Sequence, residues 1–252
     1  MKIFITGDYC PIGRIENYLL SEKYDEVIQD ISKISNSADL SITNLEAPLT
    51  NSTDKLNKSG PNIKALKKGI NPLKIAGFNL VTLSNNHILD FKEKGIKDTM
   101  ELCSDNSINY VGAGFNIEDA RKPFVFIHEN KKIGILNFAE NEFCSATKSS
   151  AGANPVNLIT NNYDIKKLKE EVDFLIIIAH GGREHYQLPT PNQRDRYRFY
   201  VDSGADLVVG HHSHCFSGYE NYNDKYIFYS LGNFIFDYKK KYQKGPWTEG
   251  YA

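Results

Sequence analysis

Donor side chains suited to a metal ion recur at one kind of place in this sequence, directly after a short apolar run. Asp8 follows residues 2–6, Asn44 and Glu46 follow 39–43, and Asn86 with His87 follows 79–83. His180 closes the run 174–179, and His211, His212 and His214 come after 206–209. Carboxylate and amide oxygens mixed with imidazole nitrogens suit Mn²⁺, Fe or Zn²⁺ better than Ca²⁺, which prefers an all-oxygen shell. Three imidazoles within residues 211–214 would repel one another if protonated, and coordination by the neutral rings removes that repulsion. Gly181 and Gly182, next to His180, leave room for a ligand. Each residue alone also has a plainer reading. Asp8 can cap a turn, Glu46 ahead of Pro48 can be an exposed loop acid, and Asn85-Asn86-His87 can be an Asx turn opening a helix. Their shared position after apolar runs is what points to a site.

Such donors meet only if the runs lie side by side. Residues 2–6, 39–43 and 79–83 read as buried strands. Residues 24–34, 63–76 and 92–105 carry apolar side chains at helical spacing, with Gly69 and Pro72 arguing for a break in the second. Strand, polar loop, helix is the βαβ order, in which the carboxyl ends of parallel strands share one edge and ligand crevices form there. The later chain adds two antiparallel hairpins, 123–128 with 132–138 and 217–222 with 225–230, the second turning at Asn223-Asp224. Residues 173–179 and 206–209 read as strands, 192–203 as a helix, and 140–162 as a long loop. Together these predict an α/β sandwich of two packed sheets, built as one domain over residues 1–252.

Composition narrows the function classes. At 40% hydrophobic and 24% charged, the chain is an ordinary globular one, which excludes disorder, collagen and coiled coil. With 30 basic and 31 acidic side chains it has no broad positive field, so no nucleic-acid partner is expected. Lys64, Lys67, Lys68 and Lys239 to Lys241 read as solvated faces. Cys10, Cys103, Cys144 and Cys215 are scattered without a CxxC pair, which favours a reducing compartment. Cys10 reads as a small buried filler, with a soft metal ligand two residues after Asp8 as the alternative. No signal peptide opens the sequence and no apolar run is long enough to span a bilayer, so a cytoplasmic location is expected as the sequence stands. Envelope association would need an anchor outside these residues. The end at 247–252 reads as broken off mid-strand, with a further C-terminal segment expected.

Several segments occur in an order that resembles a known family. They are Gly7-Asp8 with Gly13-Arg14, Asn44-Leu45-Glu46-Ala47-Pro48-Leu49-Thr50, Ser84-Asn85-Asn86-His87 with Asp90, and Ala179-His180-Gly181-Gly182-Arg183-Glu184. Gln193, Gly210-His211-His212-Ser213-His214, and Tyr229-Ser230-Leu231-Gly232-Asn233-Phe234 with Phe236-Asp237 complete them. The chain resembles the capsule-synthesis CapA-type (poly-γ-glutamate capsule biosynthesis) family, which is similar in fold to calcineurin-like metallophosphoesterases. The resemblance implies a four-layer α/β/β/α sandwich of two mixed sheets, holding one or two divalent ions (Mn, Fe or Zn) at one sheet edge. It implies Asp8, Glu46, Asn86, His180, His212 and His214 as metal ligands, with Glu46 in the bridging position and His87 as proton donor. Cys10 stands where metallophosphoesterases usually carry a histidine, Glu46 replaces an aspartate, and Gly182 differs from many CapA-type chains. The first departure bears on the number of ions, the second on their spacing.

Arg14 and Arg183, in the same loops, are expected to orient an anionic substrate, with salt bridges to Asp90 or Glu184 as the alternative. The implied function is metal-dependent, phosphoesterase-type hydrolysis in capsule or poly-γ-glutamate biosynthesis, on a phosphoester or polyglutamate-like anion. A non-catalytic assembly component that binds an anionic polymer and aids its synthesis or export is the alternative. Amide or peptide hydrolysis at the same metal site is a third.

Overall fold

A computed structural model describes residues 1–237. The lysines at 239–241 and the chain end at 247–252 lie outside the described residues. The strands run β1 (Ile3–Cys10), β2 (Leu40–Leu45), β3 (Leu80–Thr82), β4 (Asn109–Val111), β5 (Ala113–Gly114), β6 (Phe124–His128) and β7 (Lys131–Ala139). They continue as β8 (Gly152–Ala153), β9 (Phe174–His180), β10 (Leu207–His211), β11 (Tyr219–Tyr222), β12 (Lys225–Phe228) and β13 (Asn233–Phe236). Helices α1 (Ile15–Leu20), α2 (Tyr24–Ile28), α3 (Ile31–Ser35), α4 (Ile70–Ile75) and α5 (Lys92–Asp105) belong to the first half. Helices α6 (Ile117–Ala120), α7 (Leu158–Lys169) and α8 (Pro191–Ser203) belong to the second.

One sheet has the order β13-β1-β2-β3-β4 and is parallel throughout. The other, β11-β12-β10-β9-β7-β6, is parallel in its centre and antiparallel at both edges. The resemblance implies two mixed sheets; of the two large sheets only the second is mixed, and β5 pairs with β8 antiparallel in a separate two-stranded sheet. Both hairpins feed the second sheet, and β13 crosses back to lie parallel to β1. Strand alternation divides the apolar residues into three cores. Leu40, Ile42 and Leu80 meet Ile133, Ile176, Ile178 and Val209 between the sheets. Leu45, Val81 and Ile96 pack under the helices of the first sheet, and Ile177, Val208, Ile165 and Tyr200 under α7 and α8. Those three cores make the four layers α/β/β/α.

Local chemistry explains where the elements depart from their periodicity. The 24–34 stretch breaks at Gln29, whose φ of 45° ends α2 before α3 begins. The 63–76 stretch keeps a 3₁₀ turn at Lys67–Gly69 and then α4, whose first turn tolerates Pro72 because the N–H it lacks would be unpaired there. The loop expected to end at 162 gives way to α7, because the Asn157 side chain accepts the N–H groups of Ile159 and Thr160. The hairpin turns take positive φ at Glu129 and Asn130 and at Asn223 and Asp224, which suits the twist of the flanking strands.

Candidate metal centre

The stripe of side chains between the sheets is apolar until the carboxyl ends of the strands, and there it turns polar. Along β2, Leu40 and Ile42 are followed on the same face by Asn44; along β9, Ile176 and Ile178 by His180; along β10, Val209 by His211. Register lines these ends up. Asp8 pairs with Asn44 on one side and Asn233 on the other, and His180 pairs with His211. The register slips on both sides of Asp8, a local irregularity of the kind that re-aims a side chain. Close approach of the backbones is possible because Gly7 and Gly210 lack side chains. A Cβ on Gly7 would stand 2.1 Å from the Gly232 carbonyl oxygen, and one on Gly210 2.1 Å from that of Tyr229.

The six expected ligands converge in two adjacent groups. Asp8, Glu46 and His214 each present a donor atom within 4.8 Å of the other two, and all three are buried. His214 Nε2 stands 3.3 Å from Glu46 Oε1, and its Nδ1 3.4 Å from Asp8 Oδ2. In the second group, His180 Nε2 lies 3.0 Å from Asn86 Oδ1 and 3.1 Å from His212 Nδ1. Asn44 links the groups, its Nδ2 lying 2.8 Å from Asp8 Oδ1 and 3.3 Å from His180 Nδ1. The histidine loop holds an unusual backbone, with φ of 93° at His212 and 56° at His214. The His212 N–H donates to Asp8 Oδ2 at 3.2 Å, and Asn233 Nδ2 donates to the His214 carbonyl at 3.2 Å, which fixes that loop against β1 and β13.

Charge decides what this arrangement calls for. Among the described residues, neither carboxylate oxygen of Glu46 has an aligned hydrogen-bond donor, although both are buried. Burial raises the Glu46 carboxyl well above its usual range; His214 opposes this and the neighbouring Asp8 charge adds to it. Burial would also raise Asp8, but the imidazoles of His211 and His214, 3.2 and 3.4 Å away, hold it well below the usual range. Burial works against a proton on His214, yet Glu46 and Asp8 pull it up to about 9. His180 and His212 are pushed down, first by burial and then by a neighbouring imidazole in each case. One group therefore demands positive charge, while the other offers neutral ring nitrogens. A buried Glu46 carboxylate without aligned donors among the described residues, next to Asp8 and neutral imidazoles, fits a divalent cation.

His87 lies next to these groups and makes a different contact. Its Nδ1 is 2.7 Å from Asp90 Oδ2, so Nδ1 carries the hydrogen and Nε2 is the nitrogen available to a ligand. Asn85 takes the bland role open to it, accepting the His87 N–H at 3.1 Å and donating to the Leu45 carbonyl at 2.8 Å. A cavity of about 310 Å³ opens here, lined among others by Lys58, Asn86, His87, Glu142, His214 and Phe236. A larger groove of about 840 Å³ runs along β4, but no imidazole lines it.

The arginines depart from expectation. Arg14 donates from its backbone N–H and its Nε to the Asp237 carboxylate at 2.6 and 2.7 Å, and it lines a separate hollow with Tyr18 and Ile235. Arg183 is exposed, over the Tyr186 ring at 5.4 Å. Neither lines the cavity beside His87, because each has an ion-pair or ring partner outside it. The salt bridge to Asp90 is made by Lys58.

Sequence reasoning passes over two residues here and leaves a third, His211, in the imidazole cluster but outside the six ligands. His211 ends β10 with its Nδ1 3.2 Å from Asp8 Oδ1, and alternation from Val209 carries that signal. Lys58, its side chain only 5% exposed, and Glu142, whose Oε2 is 3.5 Å from Asn86 Nδ2, come from irregular segments without periodicity. Cys10 is buried, and its thiol is raised by burial and by the charges of Glu46 and Asp8, as suits a filler.

Residues 2–238 match the family model described as "Bacterial capsule synthesis protein PGA_cap". The chain belongs to this family. It is 33% identical over 248 residues to the capsule biosynthesis protein CapA of Bacillus anthracis, across 94% of this chain and 60% of that protein. Identity to the PGA biosynthesis protein CapA of Bacillus subtilis is 31% over 236 residues, across 92% of this chain and 62% of that protein. The chain thus spans about 60% of the length of these curated relatives. Among solved structures, a putative 5′-nucleotidase from Staphylococcus aureus superposes with a TM-score of 0.57 at 14% identity, covering 91% of this chain and 48% of that one. At that identity the likeness speaks for the fold alone, the α/β/β/α sandwich described above. Among the described residues, no helix is long and apolar enough to cross a membrane.

Proposed function

We propose that this chain is a metal-dependent hydrolase of the phosphoesterase type that acts in capsule polymer biosynthesis. The observation that carries the proposal is the pairing of two donor groups, Asp8, Glu46, His214 and Asn86, His180, His212, beside a His87 already oriented by Asp90. These six residues would hold one or two divalent ions, with His211 as a further donor at Asp8. A divalent ion bound there supplies Lewis acidity toward phosphoryl oxygens and eases the ionisation of water. The chain's own side chains do the rest. Asn44 orients Asp8 and His180, and Asp90 keeps the hydrogen on His87 Nδ1. In its doubly protonated form His87 gives its Nε2 proton to the leaving oxygen and is left as the neutral ring with Nδ1–H donated to Asp90. Pro61, Ile63, Phe143 and Phe236 supply the apolar part of the cavity wall.

A second reading, assembly without turnover, is favoured by the relatives' names, which speak of capsule and PGA biosynthesis and not of hydrolysis. The substrate in either case is an anion related to the polymer. Aryl phosphate turnover with Mn²⁺ separates the two. The hydrolase reading expects turnover, lost on the order of 10²- to 10⁴-fold in His87→Ala with bound metal retained. Polyglutamate binding without any turnover, unchanged in His87→Ala, sinks it.

A further inference from the structure

We propose that Lys58 is a positioning residue that aims His87 through Asp90, an inference that rests on the phosphoester reading above. Lys58 belongs to a stretch between β2 and α4 with little regular structure, where a lysine would ordinarily reach solvent. Its side chain is instead 5% exposed and its ammonium is paired with Oδ1 of the fully buried Asp90. Two backbone bonds converge on the same residue. The Leu56 N–H donates to the Asp90 carbonyl at 2.9 Å, and the Ile63 N–H to Asp90 Oδ2 at 2.6 Å. Asp90 Oδ2 also receives His87 Nδ1. Asp90 is thus a hub that joins one segment of chain to the proton donor, and Lys58 holds the oxygen that His87 does not.

The same segment builds the cavity wall, since Lys58, Ser59, Gly60, Pro61 and Ile63 all line it beside His87. Asp90 Oδ1 has no aligned hydrogen bond among the described residues, so its charge contact is the Lys58 ammonium; without that ammonium the buried carboxylate turns to find a partner. His87 then loses a fixed acceptor, and its Nε2 no longer points at a constant place. The consequence is specific to proton donation. A poor leaving group such as phenolate needs the proton, whereas 4-nitrophenolate departs largely without it.

The test compares phenyl phosphate with 4-nitrophenyl phosphate in the Mn²⁺-loaded protein. Lys58→Met is expected to lose kcat on phenyl phosphate on the order of tenfold or more and on 4-nitrophenyl phosphate only a few-fold. KM and bound Mn²⁺ should be unchanged, and Lys58→Arg should recover most of the loss. Because Lys58→Met leaves a buried charge alone, the double variant Lys58→Met/Asp90→Asn is measured as well. It should fold with wild-type metal content and keep the leaving-group defect. An equal loss on both esters, or no loss, in a protein whose wild type turns both over overturns the role of Lys58 alone. No turnover by the Mn²⁺-loaded wild type overturns the phosphoester reading, and this inference with it.

Discussion

Replacing Glu46 by glutamine probes the charge balance where it is most strained. Burial already pushes the Glu46 carboxyl well above its usual range, so in the protein alone a neutral amide of the same shape removes an unfavourable charge. The metal-free variant should therefore be as stable as the wild type or more so. With Mn²⁺ at 100 times Kd, the wild type gains about 2.7 kcal/mol. For a chain of this size, 1 kcal/mol moves Tm by roughly 2–4 °C, so the expected rise is roughly 5–10 °C. Loss of one carboxylate ligand that weakens binding a hundredfold leaves about 0.4 kcal/mol at the same Mn²⁺, about 1 °C. Differential scanning calorimetry with chelator and then with Mn²⁺ reads both quantities. Equal shifts in the two proteins, or a metal-free variant several kcal/mol less stable than the wild type, would refute the reasoning.

Two further outcomes follow from the scaffold. Asp206 is nearly buried, accepts the Leu175 N–H at 2.8 Å and pairs with Lys169 and Lys225. Burial would raise its carboxyl, but the two lysines and the Leu175 N–H hold it below the usual range. A depressed carboxyl stabilises the fold above its unfolded pKa, about 3.9, and that contribution is lost as pH falls through the lower folded value. Asp206→Ala should cost about 1–3 kcal/mol at pH 7 by urea titration, a difference that shrinks below about pH 4. Gly210→Ala puts a methyl 2.1 Å from the Tyr229 carbonyl oxygen, and a loss of about 1–3 kcal/mol with weakened Mn²⁺ binding is expected from the same titration and from calorimetry.

Much of the scaffold and most of the donors are legible in the sequence, for one physical reason. A strand buried on both faces reads as an apolar run, and a polar residue that ends it, as at Asn44, His180 and His211, marks the carboxyl edge of a sheet. The hairpins are equally legible, since Asn223-Asp224 tolerates the positive φ the turn requires. What escapes is set by tertiary partners. Arg14 is committed to Asp237, which lies 223 positions away, and no local pattern announces that pair. Lys58 is read as neither site nor face, because its burial depends on Asp90 and on a segment without periodicity. Helix α7 hides in an Asn- and Lys-rich stretch, and only the cap at Asn157 fixes its start. Parallel pairing of β13 with β1 joins segments far apart in sequence, a long-range choice that alternation within either strand does not encode.

The metal content of the protein itself bears most directly on the central claim. Purified chain, saturated with Mn²⁺ and passed through a desalting column, is assayed by inductively coupled plasma mass spectrometry. One to two ions retained per chain, falling in Asp8→Ala and His180→Ala, is the expected result; a wild type that retains none contradicts the assignment of this edge as a metal centre.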